Sequence, residues 1–216
     1  MLPSEVMTSV RNQLYEPTAG FWNNDELYGY MWQAEQEIAL NIRCTQAQTA
    51  ITTVTAQSMY TRPAAYYIDR LTWDKVKLKK IDLTDYDALQ RVAYGGLYTI
   101  GRSMHYYERG DQLGLWPIPS YSAPINIYYV AIPAQLTDST HAAFTVPVYF
   151  HTMIQDYALY RAFAKDQNQG QATFFKQQWD ADMQRAYTYW RQKTNDDMYQ
   201  VVKEEDSYRN AELGII

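Results

Sequence analysis

A single cysteine, Cys44, stands in the 216 residues, so no internal disulfide can form and nothing calls for an oxidising compartment. Cys44 follows Arg43 in a helical stretch, and its expected role is a small buried apolar residue rather than a reactive thiol. No run approaches the ~18 uninterrupted apolar residues of a membrane span. Met1-Leu2-Pro3-Ser4-Glu5 lacks the basic segment and apolar run of a signal peptide. The expected setting is cytosol-like, without a membrane partner. An excess of basic charge is missing too. Lys and Arg number 19 against 24 Asp and Glu, a net charge of −5, which argues against gripping nucleic acid as a main task.

The signatures of catalysis are equally sparse. His105, His141 and His151 form no His-x-x-x-His, and no Cys or carboxylate completes a zinc set at a workable spacing. No phosphate-binding Gly-x-x-x-x-Gly-Lys-Ser/Thr loop occurs, and Gly95-Gly96 lacks the strand-to-helix context that phosphate cradling needs. Gly101-Arg102-Ser103 imitates part of a nucleophile elbow but precedes a strand. Paired acids for glycan cleavage need a cleft separation of roughly 5 to 9 Å, yet Glu35 and Glu37 are two apart on a helix and point to different faces. Glu16 and Asp25-Glu26 flank the aromatic Phe21-Trp22, but helix capping explains Asp25 and Glu26 better. No catalytic residue, metal or cofactor is expected.

What the chain has is aromatic surface, with 21 Tyr and 6 Trp. Such side chains suit surfaces that are wet in one state and covered in another, so a Tyr-rich core and an extensive subunit interface are both open. Charge is uneven as well. From Asn195 to Ile216 six acids (Asp196, Asp197, Glu204, Glu205, Asp206, Glu212) face Lys203 and Arg209, −4 of the total −5.

Hydrophobic period predicts helices at both ends and strands between. Residues 4–16 read as a short helix with Ser4 as its cap, ended by Pro17. Asn23 or Asn24 caps a stronger helix to about Cys44, its stripe Leu27, Met31, Ala34, Ile38 and Ile42 on one face. Strands are predicted over 66–71, 76–81, 104–108, 112–116 and 125–130, with a turn at Trp73-Asp74-Lys75 and a short helix opening at Thr84. Residues 148–165 and then Phe175, Trp179, Met183, Ala186 and Trp190 read as two long helices joined by a short linker, hence an antiparallel hairpin. The expected fold is α+β. Residues 1–63 supply N-terminal helices of a bundle, 64–135 a β-rich insertion, 136–194 the helix hairpin completing the bundle, and 195–216 an extended acidic docking tail.

Lys75, Lys77, Lys79 and Lys80 are the dense basic run. Alternation puts three lysines on one strand face, with Val76 and Leu78 on the other. The run is either a DNA-facing stripe or, the favoured reading, an edge strand protected against sheet-to-sheet aggregation.

Three segments together resemble the head-to-tail adaptor (connector) proteins of tailed bacteriophages. The first is Trp22-Asn23-Asn24-Asp25-Glu26 leading to Ala34-Glu35 and Ile38, similar to the family's Trp, acidic cap and Ala-Glu helix. The second is Arg70-Leu71-Thr72-Trp73-Asp74, similar to its Arg-x-Thr-Trp-Asp turn, with Lys75 where Gly is common. The third, Tyr106-Tyr107-Glu108-Arg109-Gly110-Asp111 through Leu115-Trp116-Pro117-Ile118-Pro119 and on to Pro133-Ala134-Gln135-Leu136-Thr137, resembles its aromatic strand, Pro-x-Pro and closing Pro-x-x-Leu-Thr. A proline-started helix pair follows from Pro147. The resemblance spans about residues 21–193.

It implies a structural, non-catalytic subunit of a twelve-copy ring in the virion neck, beneath the portal and around the DNA channel, assembled in the host cytoplasm. Its partners would be further copies of itself, the portal protein, a tail or nozzle protein, and DNA passing through without sequence-specific binding. The family's C-terminal segment often docks on the portal. Here the anchors for that role would be Tyr199, Val201, Val202, Tyr208, Leu213, Ile215 and Ile216. The alternatives are a nozzle-contacting neck or tail-tube component, a cell-wall hydrolase, and a DNA-binding module using the lysine run.

Overall fold

A computed structural model describes the backbone of residues 1–93, 100–137 and 143–212, and the side chains of these except 92–93 and 194–212. Helices and sheets are both present, in two compact units: residues 1–44 with 133–216, and residues 45–132. The chain is α+β.

The first unit is helical. Helix α1 (Pro3–Gln13) starts with Pro3 at its first position, and the Glu5 carboxylate accepts the Leu2 N–H at 2.7 Å. Leu2 rather than Ser4 therefore caps it, as proline's fixed φ suits the first helical position. Helix α2 (Asn24–Ile42) is capped by Asn23, whose side chain accepts the Glu26 N–H at 2.7 Å. It ends at Arg43, which takes a left-handed conformation with φ 59°. All five stripe residues, Leu27, Met31, Ala34, Ile38 and Ile42, are buried.

After the second unit, a 3-10 turn at Val148–Phe150 leads into α4 (His151–Lys165), with α3 reserved for the short helix Leu83–Ala93 of the second unit. Residues 166–168 link α4 to α5 (Gln169–Glu212). Ring contacts fix how α4 and α5 lie together. Phe163 stacks on Phe175 at 5.7 Å, Tyr157 meets Trp179 edge-on at 4.8 Å, and Phe150 meets Trp190 at 6.2 Å. The order reverses, so the two helices run side by side in opposite directions. One hydrophobic cluster draws on α1, α2, α4 and α5, with Trp179 of α5 buried in it.

Helix α5 corrects one expectation. Its 44 residues continue to Glu212, about 65 Å at 1.5 Å per residue, so residues 195–212 are helical where an extended tail was expected. The acidic, polar composition of 195–216 set it apart as a tail, but Asn and Asp inside a helix cost only tenths of a kcal/mol each, and no Pro or Gly follows before Gly214.

The second unit is built on β-strands. A four-stranded sheet has the order β1 (Gln46–Thr52), β10 (Pro124–Ala131), β3 (Ala65–Trp73) and β4 (Val76–Lys77), antiparallel throughout. A second runs β2 (Met59–Thr61), β8 (Gln112–Trp116), β7 (His105–Arg109) and β5 (Lys79–Lys80), with only β5 and β7 parallel. Strands β6 (Ile100–Gly101) and β9 (Ile118–Pro119) form a small parallel pair. Leu71, Trp73, Ile125 and Ile127 of the first sheet share one apolar cluster with Tyr60, Leu113 and Leu115 of the second.

Residues 45–63, assigned from sequence to the helical part, belong to this unit, so it opens at Thr45 rather than at 64. Of the β-branched run Ile51-Thr52-Thr53-Val54-Thr55, Ile51 and Thr52 stand in β1, as such side chains favour. Gly95-Gly96 and His141 lie outside the described residues.

Candidate functional site

The residues that carry the family resemblance prove to be structural ties. In the first unit, Arg11 is buried, and its guanidinium donates to the Trp22 carbonyl at 3.1 Å, to Asn24 Oδ1 at 2.5 Å and to the Glu16 carbonyl at 3.3 Å. Trp22 in turn donates its Nε1–H to the Ala162 carbonyl of α4 at 3.3 Å. Trp22-Asn23-Asn24 thus joins α1, α2 and α4. Lys165 adds an ion pair with Glu26 at 2.6 Å and lies over the Phe21 ring at 4.6 Å. The Glu26 carboxylate is thus tied to α4.

Glu35 is fully buried. Its Oε1 accepts the N–H groups of Thr145 at 2.6 Å and Val146 at 3.3 Å, while Oε2 has no hydrogen-bond partner among the described residues. Burial pushes its carboxyl up to about 7, and the two N–H donors oppose that shift. Glu37, on another face of α2, accepts the Tyr157 hydroxyl proton at 3.0 Å. The two acids serve two different packing contacts.

In the second unit, the Thr53 hydroxyl is a node. It accepts the Trp73 Nε1–H at 3.1 Å and the Ala123 N–H at 2.8 Å, and lies 2.9 Å from the Ala123 carbonyl, to which it donates. That explains the Trp of Arg70-Leu71-Thr72-Trp73-Asp74, which closes the ends of β1, β3 and β10 together. The following turn places both Asp74 (φ 47°) and Lys75 (φ 65°) in the left-handed region, as a tight hairpin turn of the I′ kind requires.

The lysine run is not one strand. Lys75 sits in the turn, Lys77 in β4 on the first sheet, and Lys79 and Lys80 in β5 on the second. Leu78 between them donates its N–H to Leu71, whereas Lys79 donates to Met104. Alternation correctly leaves the lysines outside and Leu78 buried, but Val76 is exposed. Lys80 pairs with Glu108, which also pairs with Arg62 at 3.2 Å.

Of the expected docking anchors, Tyr199, Val201, Val202 and Tyr208 lie on the helical backbone of α5, with side chains outside the described ones. Leu213, Ile215 and Ile216 lie outside the described residues altogether.

Among the described residues no group of three or more His, Cys, Asp or Glu is placed to hold a metal ion. Cys44 is buried, and burial raises its thiol to about 12, so it stays protonated. His151 is buried against the Val146 carbonyl, 3.1 Å from Nε2, and burial lowers its pKa. One acid pair escaped the sequence analysis. Asp156 of α4 and Asp182 of α5 line an open cleft of about 390 Å³ with Phe174 and Arg185. Burial, and then the Asp182 charge, raise Asp156 to about 6. Arg185 engages Asp182 at 3.0 Å. The signal in the sequence is weak, because the two acids are 26 residues apart on different helices.

The sequence left open whether the aromatics fill a core or cover a contact surface, and the structure has them in both places. Tyr15 is 94% exposed, and Tyr149, Phe174, Tyr187 and Tyr189 are about half exposed. Tyr149 and Tyr189 lie with ring centroids 6.2 Å apart beside the exposed Val148. No described helix is long and apolar enough to cross a membrane.

Glu26, Glu35, Glu37 and the Thr53 hydroxyl are thus engaged in internal ties, while several large aromatics of the helical unit stand partly in solvent. A family model described as SU10 adaptor protein matches residues 1–205, and the chain belongs to that family, a phage head-to-tail adaptor family and not an enzyme family. No curated protein matches the chain.

Proposed function

We propose that this chain is one subunit of a closed ring in the virion neck, joining portal to tail and surrounding the channel through which DNA leaves during genome ejection. The carrying observation is the family match over residues 1–205. The exposed aromatics of the helical unit support it, since a ring needs two different complementary faces on every subunit, and Tyr149, Phe174, Tyr187 and Tyr189 offer amphipathic contact area. In this reading the four helices α1, α2, α4 and α5 act as a bundle with α4 and α5 as its hairpin, and the β unit is a separate contact module.

The acidic end, 195–216, is the portal-docking element. Helical through Glu212, it docks as a helix in a groove, with Tyr199, Val201, Val202, Tyr208, Leu213, Ile215 and Ile216 as anchors. DNA slides past without a binding site, in keeping with the net charge of −5. Lys75, Lys77 and Lys79 protect short strand ends. Twelve copies is the expected ring size.

Sedimentation velocity of the purified chain, with and without its portal protein, tests the reading, and imaging of the intact particle neck extends it. A ring-sized species on the portal is the expected result. A chain that stays monomeric beside portal and tail proteins, and is absent from particles, refutes it.

A further inference from the structure

The four edges of the two main sheets are not alike. Strand β4 is two residues long with Lys77 in it, and β5 is two residues, both lysine. Strand β2 has three residues and is followed by Arg62-Pro63. Short length, lysine and proline are the devices that stop an edge from recruiting another strand. Strand β1 has none of them. Its seven residues, Gln46-Ala47-Gln48-Thr49-Ala50-Ile51-Thr52, contain no charge, no proline and no glycine.

The hydrogen-bond phase of β1 shows which groups face outward. Ala131 donates its N–H to the Thr45 carbonyl, and Thr53 donates to the Ala123 carbonyl, so odd-numbered residues form the bonded pairs with β10. Antiparallel pairing alternates, which turns the N–H and C=O of Gln46, Gln48, Ala50 and Thr52 to the open edge. No described residue bonds to these eight groups. All four residues are exposed, while Ala47, Thr49 and Ile51 are half-buried.

We propose that β1 is a strand-addition site, and that its occupant is an extended, uncharged segment of a different protein of the particle. An added strand would extend the sheet from four strands to five, its main chain pairing with Gln46, Gln48, Ala50 and Thr52. Side chains on one of its faces would lie beside Ala47, Thr49 and Ile51 and favour aliphatic residues. Those on the other would lie beside the glutamines and favour neutral polar ones. Charge favours an uncharged occupant, since β1 itself carries no charged side chain to pair with one covered there.

A second copy is disfavoured by symmetry. The only described open strand of matching length in this chain is β1 itself, and β1 against β1 makes a two-fold contact. A two-fold contact does not propagate around a ring of like-oriented subunits. The choice of occupant, though not the open edge, therefore rests on the ring reading above.

Hydrogen–deuterium exchange of the full chain tests it, read on the segment 46–52 in four states: alone, with purified portal protein, with the purified tail-side neighbour, and in assembled particles. Alone, the amides of Ala47, Thr49 and Ile51 should be slow and those of Gln46, Gln48, Ala50 and Thr52 fast. In particles, and with one of the two partners, all should be slow. Ala50→Pro removes an outward N–H and leaves the β10 ladder intact. It should weaken attachment of that partner about tenfold or more, with melting and far-ultraviolet spectrum unchanged. Ala50→Lys, which keeps the N–H but covers a charge, should do the same if the proline variant folds poorly.

Fast amides in particles that contain the chain overturn this inference alone. Absence of the chain from particles overturns both readings. Slowing that grows with the concentration of the isolated chain shows a second copy on the edge and overturns the assignment of the occupant. So does wild-type attachment by the two Ala50 variants.

Discussion

Glu35 offers the sharpest test of how the helical unit is held. Its carboxyl is fully buried, it binds two main-chain N–H groups of the segment leading into α4, and burial raises it from 4.5 to about 7. A raised pKa means that the folded state holds a proton which the unfolded state releases. Folding stability contributed by this group is therefore highest below about pH 4.5, falls as pH rises from there to about 7, and is flat above. At 1.36 kcal/mol per unit, the fall is about 3 kcal/mol. Glu35→Gln keeps an oxygen for Thr145 and Val146 but cannot ionise, so its stability should lose that slope. Glu35→Ala leaves the buried Val146 N–H and the part-buried Thr145 N–H without their acceptor and should cost about 1–3 kcal/mol near pH 5. The assay is urea unfolding followed by the far-ultraviolet helix signal, at about pH 5 and about pH 8, for wild type and both variants. The difference between wild type and Glu35→Gln isolates this group from Asp156, whose raised pKa acts in the same direction. A Glu35→Gln protein with the wild-type slope, or a harmless Glu35→Ala, would refute the reasoning.

Gly114 faces Tyr107 across β7 and β8, and a Cβ placed there would enter the tyrosine ring, itself packed on Tyr86 at 4.3 Å. Gly114→Ala should cost about 1–3 kcal/mol by overpacking, and Tyr107→Leu in the same chain should recover part of it; thermal melting reads both. Lys75 holds φ 65°, so Lys75→Gly should be neutral to stabilising by about 1 kcal/mol. Gly110→Ala, at φ 57°, should destabilise by a similar amount. Thr53→Val removes the acceptor of Trp73 Nε1–H and Ala123 N–H and should cost about 2–4 kcal/mol, seen as a lower melting temperature and a shifted tryptophan emission.

What was legible in the sequence is what period and capping encode. The stripe from Leu27 to Ile42, the Asn23 cap, and the strands 105–109, 112–116 and 124–131 all stand within a residue or two of expectation. Partners across space were not legible. In the lysine run Leu78 alone is buried, because the main chain passes there from one sheet to the other, and no side-chain period records which neighbour a backbone N–H meets. Glu35 was weighed as half of an acid pair with Glu37 because spacing shows faces, not contacts. That Glu35 seats residues 145–146, some 110 positions away, depends on the tertiary fold. The edge position of β1 was hidden for the same reason, since Thr/Gln/Ala composition is ambiguous until β10 pairs with it as its one described strand neighbour.

The helical end of α5 changes what its removal should do. The described members of the apolar cluster reach Ala186, with Trp190 packed against it. Of the six acids beyond residue 195, Glu212 stands in the last turn of the helix, where the macrodipole disfavours negative charge by a few tenths of a kcal/mol. A helix there gains little from its own residues and most from whatever it lies against. Truncation after Lys193 should therefore leave the melting temperature of the chain within a few degrees of wild type while abolishing co-sedimentation with the portal protein. Substituting Tyr199, Val202 and Tyr208 together by Ala should reproduce the loss of binding with the helix left in place. A truncated chain that melts far lower would show that residues 195–216 belong to the core. One that still binds the portal would move the docking surface to the exposed Val148, Tyr149 and Tyr189.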